Sequence, residues 1–399
     1  MAPVVVVGIS ADDALADPRI LEGPESVVVG APRHLELLPD VPGQRRLPLP
    51  SPLREGLVDL VTEYADRTLI VLASGDPLVS GIGSTLIELL GRDRVVVVPA
   101  VSSVALARAA VGWAAESHAV VSVVGRDVSL VRRELAPGRR ILVLSSDEHT
   151  PRALADLLGE AGYDDSEFVV LGDLGNPTKG SSHYFDKAAI VSAKDFDFAR
   201  LNIVAITCAG PPLGGWVAGL PDDLFENDGQ LTKRDLRASA LARLAPVPGE
   251  RLWDVGAGAG SVGIEWMRAH PTCLAIAIEA NTERAERIAR NARSLGVPGL
   301  EIVHAPAPEA LKDLPTPDAI FVGGGATVPG VIEYCLDVLP RGGRIVVHGV
   351  TLETEHLLAD VYRQHGGELT RLSVETAAPI GSFTGWTPAR TVTQWAYWR

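Results

Sequence analysis

The sequence predicts an α/β fold: two α/β units in tandem, the second a Rossmann-like unit with a doubly wound, mostly parallel sheet. Three observations predict it. Short Val/Ile-rich runs alternate with helix-like stretches along the 399 residues, and fully apolar runs suit parallel strands covered on both faces. A stretch rich in glycine, proline and acidic residues, Ala209 to Gln230, interrupts the alternation. Beyond it, a strand pattern runs into a glycine turn and then a helix pattern, the opening of a nucleotide-binding βαβ unit.

In the first half the strand-like runs are Val4–Val7, Val27–Val29, Leu69–Leu72, Val95–Val98, Ala119–Val124, Ile141–Leu144 and Ile203–Thr207. Helix-like stretches lie between them at Gly83–Leu90, Val101–Val111 and Pro151–Ala161. The expected boundaries are a first domain at 1–208, a linker at 209–230 and a second domain at 231–399. The linker reading rests on Gly210, Pro211, Pro212, Gly214, Gly215, Gly219, Pro221 and Gly229 among acidic residues. A helix should begin near Leu231 with Thr232 as its N-cap. The second half then gives strands at Arg251–Val255, Leu274–Ile278, Leu300–His304, Ala319–Val322 and Arg344–His348. Helices are expected at Ser261–His270, Thr282–Leu295, Val328–Leu339 and Glu353–His365. Leu369–Thr376 and Thr391–Trp398 read as a terminal antiparallel ribbon.

Composition narrows the function classes. The formal net charge of −14 argues against a nucleic-acid partner, which needs a Lys/Arg surplus. An anionic small molecule needs only a local basic patch. Cys208, Cys273 and Cys335 show no CxxC spacing, so they read as small buried residues in a reducing cytosol, with neither disulfide nor metal site. Met1 to Ile9 is apolar, lacks a basic start and runs into Asp12 and Asp13, so it reads as a first strand. No apolar run reaches the ~18 residues of a membrane helix. A cytoplasmic location is expected, with no membrane partner.

The strongest chemical signal is Leu252-Trp253-Asp254-Val255-Gly256-Ala257-Gly258-Ala259-Gly260-Ser261. Glycines here let the backbone turn sharply and pass close to a ligand, while the helix beyond offers unpaired N–H groups. The next strand ends at Glu279, beside the turn, where a carboxylate can accept both hydroxyls of a ribose. A dinucleotide fingerprint would read GxGxxG; here Ser261 stands where the last glycine would be. Asp254, just before the turn, suits a ligand with an amino group and a sulfonium. S-adenosylmethionine (SAM) is therefore the expected cofactor, ahead of a nicotinamide or a plain structural turn. Two more strand ends share that edge: Val322 leads into Gly323-Gly324-Gly325, and Arg344–Val347 ends at His348. The glycine triplet also reads as a flexible turn, and His348 as a satisfied loop histidine.

These residues carry a resemblance. Leu231-Thr232-Lys233-Arg234-Asp235-Leu236-Arg237, the glycine turn, Ile264-Glu265-Trp266 and Phe321-Val322-Gly323-Gly324 resemble the CbiT-like methyltransferases of cobalamin biosynthesis. The first half resembles the CbiE-like tetrapyrrole methylases. Its motifs are Ser74-Gly75-Asp76-Pro77-Leu78 with Gly81-Ile82-Gly83, Val98-Pro99-Ala100-Val101-Ser102-Ser103, Gly125-Arg126 and Leu171-Gly172-Asp173-Leu174-Gly175. The fusion in this order resembles the CobL family of decarboxylating precorrin-6Y methyltransferases, over nearly the whole chain. Gly8-Ile9-Ser10, Ala100, Val124 and Asp235 depart from the usual pattern.

The resemblance implies a tetrapyrrole-methylase fold of two α/β subdomains ahead of the Rossmann-like unit. It implies two methyl transfers from SAM to a reduced precorrin-6, at C-5 and C-15, with loss of carbon dioxide from a ring acetate to give precorrin-8. An alternative keeps only the second half catalytic, on another tetrapyrrole, with the first half a ligand-binding scaffold. Expected cofactor contacts are Asp254, Gly256, Gly258, Gly260, Glu279, Gly323 and Gly324 in the second half and Gly75, Asp76, Ser102 and Ser103 in the first. Asp76 also reads as part of a turn, and Ser102 and Ser103 as an N-cap pair. Lys233 and Arg237, spaced i,i+4, and the adjacent Arg234 are expected to face the substrate or to form a solvated helix face. Arg284, Arg287, Arg290 and Arg293, with Glu283 and Glu286, read as a salt-bridged outer face. His348 is the candidate acid for reprotonation after decarboxylation. Self-association is left open.

Overall fold

The computed structural model describes residues 3–17, 25–212 and 214–399, so Met1 and Ala2 of the first apolar run lie outside the described residues. The chain divides into two compact units. One holds Met1–Val128 and Pro137–Pro211, the other Ser129–Ala136 and Pro212–Arg399.

In the first unit, β1 (Val4–Ile9), β2 (Val27–Gly30), β3 (Arg45–Pro48), β4 (Leu69–Ser74) and β5 (Val95–Val98) form a parallel sheet in the order β3-β2-β4-β1-β5. Side chains alternate between two cores. Val4, Val6, Val27, Val29, Leu69 and Val71 face one with α2 (Leu53–Glu63) and α3 (Ile82–Leu90); Val7, Val28, Ile70 and Leu72 face the other, beside the short α1 (Pro32–Leu35). This is the two-faced burial that uninterrupted valine runs demand. α4 (Ser103–Val111) leads to a second sheet of β6 (Ala119–Ser122), β7 (Arg140–Leu144), β8 (Glu167–Gly172), β9 (Ser181–Phe185) and β10 (Asn202–Thr207), ordered β6-β7-β10-β8-β9, with α5 (Thr150–Glu160) and α6 (Ala188–Ala193). Only β6–β7 is parallel; every other pair in this sheet is antiparallel. The apolar run Ile203–Thr207 therefore differs from the parallel expectation. Residues 173–180 are too few for the crossover that a parallel β8–β9 pair would need.

In the second unit, α7 (Arg234–Leu244) precedes β11 (Arg251–Val255), α8 (Ser261–Ala269), β12 (Leu274–Ile278), α9 (Thr282–Ser294), β13 (Glu301–Val303) and β14 (Ala319–Val322). Then come α10 (Val331–Val338), β15 (Arg344–Gly349), α11 (Leu352–His365), β16 (Glu368–Leu372), β17 (Glu375–Ile380), β18 (Phe383–Pro388) and β19 (Val392–Trp398). The seven-stranded sheet runs β13-β12-β11-β14-β15-β19-β16, parallel except at β19. Strand order reverses at β11, which opens a crevice at the carboxyl ends of β11 and β14. Each strand splits its side chains between two faces: Leu252, Ala275, Ala277 and Phe321 pack with α7, α8 and α9, while Trp253, Ile276, Ile278 and Ile320 pack with α10 and α11. The expected terminal ribbon is β16 against β19; the β17–β18 hairpin between them, with Phe383 and Trp386 exposed, was not read from the sequence.

Three boundaries differ from expectation. From Pro212 onward the expected linker belongs to the second unit: Leu220 and Phe225 are buried in its core, and the backbone N–H groups of Gly219 and Leu220 donate to Glu265 at 2.6 and 2.9 Å. Ser129–Ala136 also belongs to that unit, and Trp216 Nε1 donates to Arg133 O within it. Finally, α7 starts at Arg234 with Lys233 in the cap position and no side-chain cap bond, so Thr232 is not the N-cap. Among the described residues no helix is long and apolar enough to cross a membrane.

Candidate active site

The glycine turn after β11 is built from three positive-φ glycines, each needed for a different reason. A Cβ on Gly256 (φ +67°) would stand 2.6 Å from Gly324 O, one on Gly258 (φ +58°) 2.7 Å from Gln230 O, and one on Gly260 (φ +75°) 2.8 Å from Ile288 Cγ2. The first two glycines let the loops after β11 and β14 and the segment before α7 close around a cavity of about 840 Å³. Gly256, Gly258, Gly323 and Gly324 line it. Gly260 does not; it caps α8 and lets that helix pack on α9.

Glu279 and Asp254 part company here. Glu279 follows β12, lines the cavity and is nearly buried; its Oε2 accepts from Gly258 N at 2.9 Å and its Oε1 from Asn281 N at 3.0 Å. Each oxygen keeps a further lone pair for a ligand hydroxyl. Asp254 is buried beneath the turn and is not on the cavity wall. Its Oδ2 accepts from Gly263 N at 2.9 Å, near the start of α8, and its Oδ1 has no partner among the described residues. Burial pushes its carboxyl up to about 7, with Glu279 adding to the rise. The expected contact between Asp254 and a ligand amino group is thus replaced by a structural one, because the side chain of this β11 position points into the sheet–helix layer.

His348, on β15, lines the cavity and is buried. Its ring meets the Phe321 edge at 5.0 Å and 83°, and its Nε2 lies 2.9 Å from the Gln394 amide on β19. Burial lowers it to about 4. That direction favours the neutral ring near pH 7 and weighs against the role of acid that the sequence suggested for it.

The cationic cluster also divides. Lys233 lines the cavity, 3.8 Å from Asp222. Arg234 is not on the wall and packs along Gly219. Arg237 is fully buried: its Nε donates to Glu265 at 2.5 Å, its Nη1 to Asp222 at 3.2 Å, and its guanidinium lies 4.8 Å from the Phe225 ring. The i,i+4 argument fails because Lys233 precedes the helix instead of sharing its face. The arginines of α9 pair with the segment before α7: Arg284 and Arg287 with Asp228, Arg290 with Glu226. That contact holds Asp228 well below the usual carboxylate range. Sequence reasoning missed Arg390, which lines the cavity and has no ion pair among the described residues. A lone arginine in a loop gives no spacing signal.

In the first unit the ends of β1, β4 and β5 converge. A Cβ on Gly8 would lie 2.3 Å from Gly75 O and 2.5 Å from Ala100 N; one on Gly75 (φ +58°) would lie 3.1 Å from Ser102 Cα. Asp76 Oδ1 accepts from Leu78 N at 2.8 Å, the turn reading of this residue. Ser102 caps α4, its Oγ accepting from Ala105 N at 3.1 Å, and Ser103 is the first residue of the helix. Beside them, Arg33 Nη2 donates to Ser74 Oγ (2.7 Å), which stands 3.2 Å from His34 Nε2. Burial lowers His34 to about 4. Neither Arg33 nor His34 was singled out from the sequence.

The two halves match two families: residues 14–180 the Tetrapyrrole (Corrin/Porphyrin) Methylases, and residues 223–399 a Precorrin methyltransferase domain. A Sinorhizobium protein named precorrin-6Y C(5,15)-methyltransferase [decarboxylating] is 43% identical over 99% of this chain and 96% of its own length. A Mycobacterium tuberculosis protein of the same name is 43% identical over 98% of this chain and 99% of its own. A shorter Pyrobaculum calidifontis protein, a probable cobalt-precorrin-6B C(15)-methyltransferase (decarboxylating), is 34% identical over 42% of this chain and 88% of its own. With that identity sustained through both halves, the chain belongs to the family of decarboxylating precorrin-6Y C(5,15)-methyltransferases.

Proposed function

We propose that the chain is a bifunctional, SAM-dependent C-methyltransferase of corrin synthesis. It methylates a reduced precorrin-6 at C-5 and C-15 and removes carbon dioxide from a ring acetate, giving precorrin-8. The observation that carries the reading is the cavity at the β11 turn: a bare-backbone cradle with a ribose-accepting carboxylate, opening toward three cations.

The residues fit SAM. Gly256, Gly258, Gly323 and Gly324 present bare backbone on the cavity wall, where a ligand can press against main chain. Glu279 offers lone pairs to the ribose hydroxyls. When bound, SAM supplies an electrophilic methyl on a sulfonium. The chain's own share is alignment and exclusion of water. Lys233, Arg284 and Arg390 on the wall give the substrate carboxylates cationic anchors. Lys233 and Arg284 already lie beside Asp222 and Asp228, which leaves Arg390 as the freest anchor. The carboxylate of the acetate leaves as carbon dioxide, the electron pair of the broken C–C bond passes into the conjugated macrocycle, and a proton taken up from water leaves a methyl group on the ring.

Calorimetric titration of SAM into the intact chain, with NADH as control, tests the cofactor. Mass spectrometry of the tetrapyrrole product tests the chemistry. Two SAM sites, two methyl groups gained and one carbon dioxide lost support the reading. A single site with one methyl gained would leave the second half alone catalytic. NADH binding without SAM binding would refute the reading altogether.

A further inference from the structure

His348 and Gln394 face each other across the β15–β19 pair, and Arg243 of α7 reaches the same point. The Gln394 amide has two possible orientations. With its nitrogen toward Arg243, donors would face the guanidinium donors while oxygen met the imidazole. With its oxygen toward Arg243, that oxygen accepts from Nε at 3.1 Å and Nη1 at 3.2 Å, and its nitrogen donates to His348 Nε2 at 2.9 Å. Only the second satisfies both ends. Arg243 Nε shares its one hydrogen between Gln394 and Glu368 Oε2 (2.9 Å), and Nη1 also donates to Ser239 Oγ (3.0 Å); the guanidinium offers only donors, so the direction of the chain of bonds is set from its far end.

A donor at Nε2 requires a lone pair there, so the ring proton resides on Nδ1. Nδ1 has no protein partner among the described residues and is not among the sealed, unsatisfied atoms, while His348 lines the cavity. The Phe321 ring edge fixes the imidazole plane. With Nε2 engaged, the ring cannot act as a base there.

We infer that Arg243 and Gln394 are positioning residues that lock His348 as its Nδ1–H tautomer, presenting one fixed, neutral hydrogen-bond donor to a substrate carboxylate in the cavity. The kind of ligand rests on the function proposed above; the tautomer does not. Burial and the Arg243 charge oppose a second proton on the ring, and a donor at Nε2 opposes it further. A neutral His348 adds no further positive charge to a cavity that Lys233 and Arg390 also line.

The test is long-range 1H–15N NMR on the full-length chain with 15N-labelled histidine, using His348→Asn to identify the resonance. A protonated Nδ1 and an unprotonated Nε2 are expected from about pH 6 to pH 8; the opposite pattern would overturn the inference. Gln394→Glu replaces the donor by an acceptor and should bring a proton to Nε2. Gln394→Leu should release the ring to a mixture. Persistence of the Nδ1–H signature in both variants would also overturn the relay. In parallel, Gln394→Glu should slow C-15 methylation and decarboxylation at least about tenfold while SAM affinity changes less than about twofold. A moved tautomer with unchanged turnover would remove the carboxylate-donor role. A wild-type chain inert toward the tetrapyrrole refutes the parent function, and the NMR result still decides the relay.

Discussion

Asp254 and Glu279 are both acidic residues near one glycine turn, yet their surroundings give them different chemistry. Glu279 accepts two backbone N–H bonds and faces the cavity. Glu279→Gln would turn an amide NH₂ toward one of those donors and remove the charge that favours a ribose hydroxyl. SAM affinity should fall about 10- to 100-fold by calorimetry, and an unchanged affinity would move the ribose elsewhere. Asp254 has one bond, one orphaned oxygen and a carboxyl raised to about 7. Its folded value lies above its ordinary 3.8, so between about pH 4 and pH 7 the folded state holds the proton more tightly than the unfolded chain. Its contribution to stability is full below pH 4 and is lost as pH rises to 7. Asp254→Asn keeps an oxygen for Gly263 N and cannot ionise. The variant should unfold in urea at a midpoint equal to or above that of the parent at pH 8, with a shallower decline between pH 4 and pH 7. The buried Trp253, Trp266 and Trp395 report the transition. A large loss of SAM binding in that variant would return Asp254 to the site.

At the scale of elements, Arg237 fastens three pieces: α7, α8 through Glu265, and the Leu220–Asp222 segment. Breaking a buried pair leaves its partner charge uncompensated, at a cost of about 3–5 kcal/mol. Arg237→Met should therefore lower the melting temperature of the second unit sharply, and Arg237→Met with Glu265→Gln should recover part of the loss. If instead the single variant melts normally but binds substrate poorly, Arg237 is an anchor after all. This rivet also explains what the sequence could and could not convey. Parallel strands with two apolar faces and the glycine turn are local patterns, so β1, β4, β11, β12, β14 and β15 were legible within a residue or two. The fate of residues 212–230 was not. Their glycines and prolines signal irregular backbone, but whether that backbone is solvated or packed depends on Glu265, some 45 residues away. Arg237 was misread for the same reason: its partners come from that segment. The antiparallel strands β8 and β10 carry the same apolar runs as parallel ones, and only the connection lengths distinguish them.

On the scale of the whole molecule, the chain enters the second unit twice, first through Ser129–Ala136 and then for good at Pro212. Composition does not betray the first entry, because the segment is mostly a 3-10 helix, Val128–Glu134, followed by a single Pro137-Gly138 turn no different from those between other elements. Val131 and Leu135 within it are almost fully buried, which corresponds to about 1.5–3 kcal/mol for each side chain removed from water. A cut between Pro211 and Pro212 takes these eight residues from the second unit. Every residue lining the cavity lies between Gly229 and Val392, so the cut leaves the site itself whole. The two effects should separate. A fragment of residues 212–399 should bind SAM within about threefold of the intact chain's second-half site, yet melt several degrees below the corresponding calorimetric transition of the intact chain. Equal melting would mean that Val131 and Leu135 owe their burial to something other than the second unit. Loss of binding by a folded fragment would mean that residues before Pro212 supply part of the site, and the cavity as drawn would be incomplete.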